Sequence, residues 1–380
     1  MIPLLIALTA LYMTALLFIL QGFRRLKPPS ASMGRPFISV LIAARNEAAH
    51  ITPLLEALDR QDYPRDRHEI LIIDDDSSDT TVKEIDRWQR AHPGSPLRLI
   101  HSQGRDQVIS PKKHALAQGI AAARGEILLF TDADCLPLST WISALQGFFT
   151  PEVGMVIGYS PYEIPPPRSL LERFLALESL SLAALAAATS GWKRPATCTG
   201  RNLAYRKTVW KEVDGFTAIA GFISGDDDLF LKQVLERTRW QVTYALTPEA
   251  IVPTRLLTNS RAFFRQRLRH ASKGFHYGPK MTTLLALAWL YNLLLVAGTI
   301  QSLCQSPMDP RPWMAWAGKS MAELLLLIRF AKPMRRLQFL GIFPLAELLH
   351  VGYVVLFGAL GPLSRIHWKE NAASTAPAGA

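Results

Sequence analysis

Three groups of aspartates and one group of cations have the types and spacing to act together. Asp132 and Asp134 flank Ala133 directly after the apolar run EILLFT at residues 126–131. Alternation along an extended chain puts both carboxylates on one side. There they can share one hard cation such as Mg2+ or Mn2+, which would neutralise a diphosphate and stabilise it as a leaving group. Asp74, Asp75 and Asp76 close another apolar run, EILIID. Adjacent carboxylates repel one another unless something compensates. They read either as a solvated turn, with Ser77, Ser78 and Asp79 capping the next helix, or as acceptors for hydrogen bonds from a base or ribose. Asp226, Asp227 and Asp228 stand before the helical stretch LFLKQVLER. They either complement that helix's dipole or supply a general base for an acceptor hydroxyl. Arg265, Gln266, Arg267, Arg269, His270 and Lys273 form the cationic group. Basic residues beside a membrane span bind lipid head groups, and arginines clamp diphosphates; spacing leaves both readings open.

The elements that must position these groups are strands and helices in alternation. FISVLIAA at 37–44 is a continuous apolar run, as expected of a strand buried on both faces. Helical periodicity follows over 47–60, then the strand 69–74, a helix over 79–91, a strand over 97–102, a helix over 112–124 ended by Gly125, and the strand 126–134. This order predicts an α/β fold with a doubly wound, mostly parallel sheet. Ligands of such sheets bind beyond the carboxyl ends of the strands, where the acidic groups fall. The first βα turn, AARNEA, lacks the Gly-x-Gly-x-x-Gly loop of a dinucleotide oxidoreductase.

Flanking segments point to a membrane. Residues 2–20 carry no charge and are followed at once by Arg24, Arg25 and Lys27. About 19 residues suffice to cross ~30 Å of hydrocarbon. The charge order is the reverse of a secretory signal peptide, so the segment reads as an uncleaved anchor over residues 1–22, with positive-inside logic placing the succeeding domain in the cytosol. Residues 28–36 read as a Pro/Ser/Gly linker. Residues 169–190 are apolar but hold Glu172, Arg173 and Glu178, which favours an amphipathic helix lying on the membrane or on the domain over a span. The region 281–361 predicts about three spans: 281–304; 313–330, which carries Lys319 and Glu323; and 338–361. Lys332, Arg335 and Arg336 fit a cytosolic turn between the last two. Four spans are expected in all, with residues 362–380 a disordered tail. The formal charge of +11 suits anionic partners; with spans present the partner is a lipid bilayer and not nucleic acid. Cys135, Cys198 and Cys304 form no CxxC pair. They argue against a disulfide framework or a structural zinc, and read as buried free thiols.

Taken together and in order, these motifs resemble the membrane-bound glycosyltransferases of family 2, inverting enzymes with a nucleotide-diphospho-sugar transferase fold, related to the cellulose and hyaluronan synthases. The resemblance covers residues 37–275. FISVLIAARNEAAHI is similar to the family's first strand and base-contacting loop, which implies donor contacts for Ala43, Arg45 and Glu47. IIDDDSSDTT resembles its uridine-binding turn, implying that role for Asp75 and then Asp74. SPKKHALAQGIAAARGE resembles the Lys-containing helix, with Lys112 or Lys113 near the donor. LLFTDADC resembles the metal-binding DxD, implying that Asp132 and Asp134 hold Mg2+ or Mn2+ and that Asp132 also meets the donor. TGRNLAYRKTVWKEVDGF resembles the segment shaping the acceptor pocket, with Gly200, Asn202 and Tyr205 in matching places. SGDDDLFLK resembles the catalytic-base motif; three consecutive Asp stand where the family has Glu-Asp or Asp-Asp, and the reading favours Asp227, then Asp226. FFRQRLRHASKG resembles the motif placed near the diphosphate and acceptor, implying roles for Gln266, Arg269 and His270.

The resemblance implies a single in-line displacement from a nucleotide-sugar, UDP-sugar favoured, to a lipid-linked or other saccharide acceptor near the membrane, catalysed by a multi-pass protein of the cytoplasmic membrane with its catalytic domain in the cytosol. His270 stands where processive synthases have Trp, which argues against long-polymer synthesis. A processive polysaccharide synthase and a catalytically lapsed nucleotide-binding or scaffold protein are the alternatives.

Overall fold

The computed structural model describes residues 1–30, 34–105, 108–256 and 279–363. The chain divides into two compact units. One comprises Tyr12–Leu256 and Ser320–Phe343; the other comprises Met1–Leu11, Leu257–Lys319 and Pro344–Ala380.

The larger unit is built on a sheet. After helix α1 (Ile2–Leu20), the chain runs through β1 (Ile38–Ala44), α2 (Ile51–Asp59), β2 (His68–Asp74), α3 (Thr81–Ala91), β3 (Leu97–His101), α4 (Pro111–Ala122), β4 (Ile127–Phe130), α5 (Trp141–Gln146), β5 (Val153–Ile157), β6 (Tyr162–Ile164), α6 (Leu170–Ser190), β7 (Leu203–Arg206), α7 (Lys207–Glu212), α8 (Asp228–Arg237), β8 (Gln241–Tyr244) and β9 (Thr254–Arg255). The seven-stranded order is β3-β2-β1-β4-β7-β5-β8. The first four strands in that order run parallel, and β7 runs antiparallel to both β4 and β5. The expected mostly parallel α/β sheet is present. β6 and β9 form a separate parallel pair.

The continuous apolar strands are explained by helices on both faces. Ile38, Val40 and Ile42 of β1 point into one core with Leu54, Leu55 and Leu58 of α2, Trp88 of α3 and Trp141 of α5. The alternate residues, Leu41 on β1 and Ile73 on β2, meet α4 on the other face. There Gly119 lets the helix approach: a Cβ would lie 2.6 Å from Ile73 Cδ1. Each such buried aliphatic side chain contributes about 2 kcal/mol.

Several boundaries differ from the sequence expectation. The helix expected over 47–60 starts at Ile51, because Asn46 sits at φ 55° and residues 47–50 form a turn. α4 ends at Ala122, and Gly125 is not its cap. Gly125 is required for a different reason: a Cβ there would lie 2.4 Å from the Ser39 nitrogen. β4 stops at Phe130, so Asp132 and Asp134 lie in a turn closed by Cys135 N–H on Asp132 O (3.2 Å), not on an extended strand. Of the three thiols expected to be buried, Cys135 is buried, Cys198 is half-buried and Cys304 is exposed just after a helix end.

Among the described residues three helices are long and apolar enough to cross a membrane: Ile2–Arg25, Thr282–Leu303 and Leu337–Leu360. The sequence predicts a fourth span over 313–330. The helix there, Arg311–Ala331, is not among the three; its charges have protein partners, Lys319 on Glu347 at 2.5 Å and Glu323 on the Tyr12 hydroxyl at 2.5 Å. α6 is also not among them. A capping box of Ser169 and Glu172 starts it, and its Leu175, Leu180 and Ala184 are buried. Near its end, Gly191 meets Gly22 backbone to backbone: a Cβ on Gly191 would lie 1.9 Å from Gly22 O. Neither backbone can yield without moving its helix.

Gly191→Val should therefore destabilise the protein by at least about 2 kcal/mol through overpacking. Gly94→Ala, where nothing lies within 4 Å, should leave the detergent-solubilised protein's thermal midpoint unchanged. Equal midpoints for both variants would refute the close-packing account.

Candidate active site

The acidic groups converge at the carboxyl ends of β2 and β4, which are separated in the sheet only by β1. At β2 the loop is laced to the loop after β1. Asn46 Oδ1 accepts hydrogen bonds from Ser78 N (2.8 Å) and Asp79 N (3.3 Å), and Asn46 N donates to Ser77 Oγ (3.0 Å). Asp79 Oδ1 accepts from Thr81 N at 2.8 Å, starting α3. Ser77 and Asp79 thus do the structural work of the turn. Asp74 and Asp75 are left buried, and the Oδ1 atom of each has no hydrogen-bond partner, although Arg105 Nε stands 3.8 Å from Asp75 Oδ1 as an ion pair. Buried acceptors without hydrogen-bond donors are rare, and these oxygens have capacity for a ligand's N–H or O–H. Burial pushes Asp75 up to about 6; Arg45 opposes this and the charges of Asp74 and Asp76 add to it. Arg45 is exposed, and Glu47 is paired with His50 at 2.7 Å.

At β4, Lys112 Nζ stands 2.9 Å from Asp132 Oδ1 and 3.2 Å from Asp226 Oδ2. It reaches there from the first turn of α4. Ala43, Lys112, Asp132, Gly200, Tyr205 and Asp226 line one narrow pocket. Burial alone would raise the Asp132 pKa, but Lys112, by charge and hydrogen bond, and then Arg201 hold it below the ordinary value. Asp226 is raised: burial dominates, Lys112 opposes it, and Asp227 and Asp132 add to it. Burial would lower Lys112, yet its acidic neighbours keep it well above the usual ammonium value.

The geometry separates residues that look equivalent in sequence. Lys113, next to Lys112, is buried and donates to Ile219 O at 2.5 Å and Ser224 O at 3.5 Å, tying down the loop before the acids. Asp227 is the N-cap of α8. Its Oδ1 accepts from Asp228 N (2.7 Å) and its Oδ2 from Gly200 N (3.0 Å). Gly225, at φ 101°, lets the chain turn into that cap; a Cβ would lie 2.5 Å from Leu229 Cδ1. Asp226 is therefore the acid of this loop that faces Lys112, and Asp227 holds the loop. Asn202, expected at the acceptor pocket, is wholly buried. It donates to Tyr159 O and Ala250 O (both 2.8 Å) and accepts from Trp141 Nε1 (3.0 Å), so it joins three segments of the frame. Tyr205 is also buried, stacked on Phe130 at 4.5 Å. Gln266, Arg269 and His270, with Arg265, Arg267 and Lys273, lie outside the described residues.

Asp134 is half-buried, and its Oδ1 accepts a hydrogen bond from Cys135 Sγ at 3.5 Å. Among the described residues no three His, Cys, Asp or Glu side chains form a metal-binding group. Two carboxylates in one turn, both hard oxygen donors, fit a cation that completes its shell with waters and substrate phosphates. Sequence reasoning missed Asn46 and Arg201. Asn46 carries a signal in the Asn between two apolar elements, since Asn tolerates the left-handed region. Arg201 is visible only through the fold, which brings its charge near Asp132.

Residues 39–211 match the model of Glycosyl transferase family 2, and they make up a domain of that family. A probable glycosyltransferase, YdaM, of Bacillus subtilis is 28% identical over 184 residues, 48% of this chain and 43% of the relative. A beta-monoglucosyldiacylglycerol synthase of Trichormus variabilis is 34% identical over 122 residues, 32% of this chain and 25% of the relative. A Methanococcus voltae glucuronosyltransferase, whose name specifies a dolichyl N-acetyl-glucosaminyl phosphate, is 35% identical over 101 residues, 27% of this chain and 30% of the relative. The chain spans less than half the length of these curated relatives. Among solved structures, the mannosyltransferase PcManGT of Pyrobaculum calidifontis, in complex with GDP-Man and Mn2+, superposes with a TM-score of 0.56 at 21% identity. That likeness covers 96% of this chain and 99% of the other, and it shows the shared fold.

Asp226→Ala and Asp227→Ala should part company in stability. Replacing a capping carboxylate by Ala costs about 1 kcal/mol, so Asp227→Ala should lower the thermal midpoint while Asp226→Ala leaves it level or raises it by removing a buried charge. Identical shifts would reject the division of roles.

Proposed function

We propose that this family 2 domain transfers a sugar from a nucleoside-diphosphate sugar to an acceptor hydroxyl at a membrane surface, with inversion at the anomeric carbon. The observation that carries the reading is the convergence of Lys112, Asp132 and Asp226, with buried oxygens of Asp74 and Asp75 that lack a hydrogen bond two strands away in the same sheet. The first group suits a diphosphate and the hydroxyl that displaces it. The second suits the N–H and hydroxyl groups of a nucleoside.

In this mechanism Asp75 and Asp74 accept hydrogen bonds from the base and ribose, UDP being the favoured nucleotide. Ala43 lets the donor lie close against the end of β1. Asp132 and Asp134 would hold a divalent cation, Mg2+ or Mn2+. That cation, when bound, supplies Lewis-acid stabilisation of the leaving diphosphate. Lys112 adds a fixed positive charge on the same side. Asp226 takes the proton of the acceptor hydroxyl. Its raised pKa makes it a stronger base than an ordinary carboxylate while it remains ionised beside Lys112. The acceptor oxygen forms its bond to the anomeric carbon as the bond to the diphosphate breaks, and holding both in line supplies much of the rate.

Three candidate membrane helices support a multi-pass protein whose domain works at the bilayer. The positive residues Arg24, Arg25 and Lys27 after the first helix favour a cytosolic domain. Lipid-linked and glycolipid products among the relatives' names fit an acceptor presented by lipid.

The test is turnover of a panel of UDP- and GDP-sugars by the full chain in native-like membranes, read as release of nucleoside diphosphate. Metal-dependent release is expected, falling at least 100-fold in Asp134→Asn and Asp226→Asn. Release unaffected by either substitution would overturn the assignment, and an extractable long polymer would favour a processive synthase.

Donor affinity should also depend on pH. Asp75, pushed up to about 6, accepts hydrogen bonds best when ionised. Affinity should therefore be full above that pH and fall about tenfold per unit below it. Asp75→Asn should bind weakly at every pH; a wild-type profile flat from pH 7 to 5 would contradict the role.

A further inference from the structure

A second cation lies near Asp132. Phe130 stands opposite Leu203 in the β4/β7 antiparallel pair. Beyond that rung both chains leave the ladder for turns, and Arg201 stays close enough to Asp132 to help hold its carboxyl below the ordinary value. Backbone position there is fixed, because the preceding Gly200 donates its N–H to Asp227 Oδ2 at 3.0 Å. The Arg201 guanidinium lies over the Tyr162 ring, 4.7 Å from its centroid, and its Nε donates to Thr199 Oγ1 at 3.3 Å. A guanidinium stacked on a ring keeps its in-plane N–H groups free to fork onto an anion. Among the described residues no carboxylate forms an ion pair with it, whereas Lys112 across the cleft is paired twice. It also stands on the side of Asp132 away from the Asp74–Asp75 turn, since β7 lies outside β4 and β2 lies two strands the other way.

Taking the sugar-transfer reading as given, we propose that Arg201 is a substrate-binding residue that holds a phosphate group in the cleft beside Asp132. Tyr162 is the platform that keeps its fork aimed. The phosphate comes from one of two sources: the diphosphate of the departing nucleotide, or a phosphate carried by the acceptor. The chemistry recognised is the same, a tetrahedral anion with two oxygens in the plane of the fork. Tyr162→Leu should weaken binding of the same ligand by removing the platform, and Arg201→Lys should restore part of what Arg201→Met loses, because the charge remains without the fork.

The experiment uses the full chain in detergent–lipid micelles with Mn2+. Calorimetry measures binding of UDP and GDP, and a second pair of titrations compares farnesyl phosphate with farnesol, which differ only in the phosphate. If UDP or GDP affinity falls tenfold or more in Arg201→Met at an unchanged thermal midpoint, Arg201 holds the leaving diphosphate. If nucleotide affinity is kept but farnesyl phosphate loses its advantage over farnesol, Arg201 holds an acceptor phosphate. Wild-type binding that Arg201→Met leaves unchanged for every probe overturns this inference alone and assigns Arg201 to packing on Tyr162. Failure of the wild-type chain to bind any of the four probes overturns the sugar-transfer reading and this inference with it.

Discussion

The site depends on one ammonium group. Asp132 comes from the end of β4 and Asp226 from a loop almost a hundred residues later, yet Lys112 Nζ lies within 3.2 Å of both. Without it, two carboxylates in a partly buried cleft would repel, and one would take up a proton or move to water. Lys112 stands in the first turn of α4, with Pro111 starting the helix. The helix is held against the sheet by the Gly119 approach to Ile73 and Leu41. Core packing on one face thereby sets the position of a charge at the sheet's edge.

The same logic extends outward through residues that do no chemistry. Lys113 fastens the 219–224 loop from beneath, Asp227 caps α8 and grips Gly200, and Asn202 joins three segments through its amide. These polar side chains are satisfied, and each replaces water with a directed bond, so the loops they hold have few alternative positions. Between these fasteners Asp226 and Asp132 line the pocket. Preorganised groups of this kind lose little reorganisation energy when substrate charge develops. The thiols of Cys135 and Cys198 fit the frame rather than the chemistry: burial pushes Cys135 up to about 12 and Cys198 well above the ordinary thiol value, which leaves both unionised and inert.

The larger unit contains residues 320–343 from the C-terminal region as well as the domain. Arg336 forms a two-pronged ion pair with Glu163 of β6, next to Tyr162, the ring under Arg201. Phe330 packs edge-on to Tyr159 and Tyr244. The segment leading into the candidate span Leu337–Leu360 is thus part of the domain's own core.

By itself the sequence determined the strand-and-helix alternation, the acidic strand ends and the apolar first helix. All three follow from local periodicity, because a strand buried on both faces must be apolar throughout and a ligand-binding edge must not be. It also named the neighbourhoods of the site, since Asp74, Asp75, Lys112, Asp132 and Asp226 each lie at an element end where polar residues interrupt apolar runs. Only the tertiary structure decided between neighbours of identical type: Lys112 over Lys113, and Asp226 facing the cleft while Asp227 caps a helix. It also took Asn202 out of the pocket, put Asp132 and Asp134 in a turn, and brought the Arg201 charge near Asp132. Each of these depends on a partner distant in the chain, brought near by an antiparallel register or a loop crossing, and one-dimensional spacing carries no information about which side of a turn a carboxylate will face.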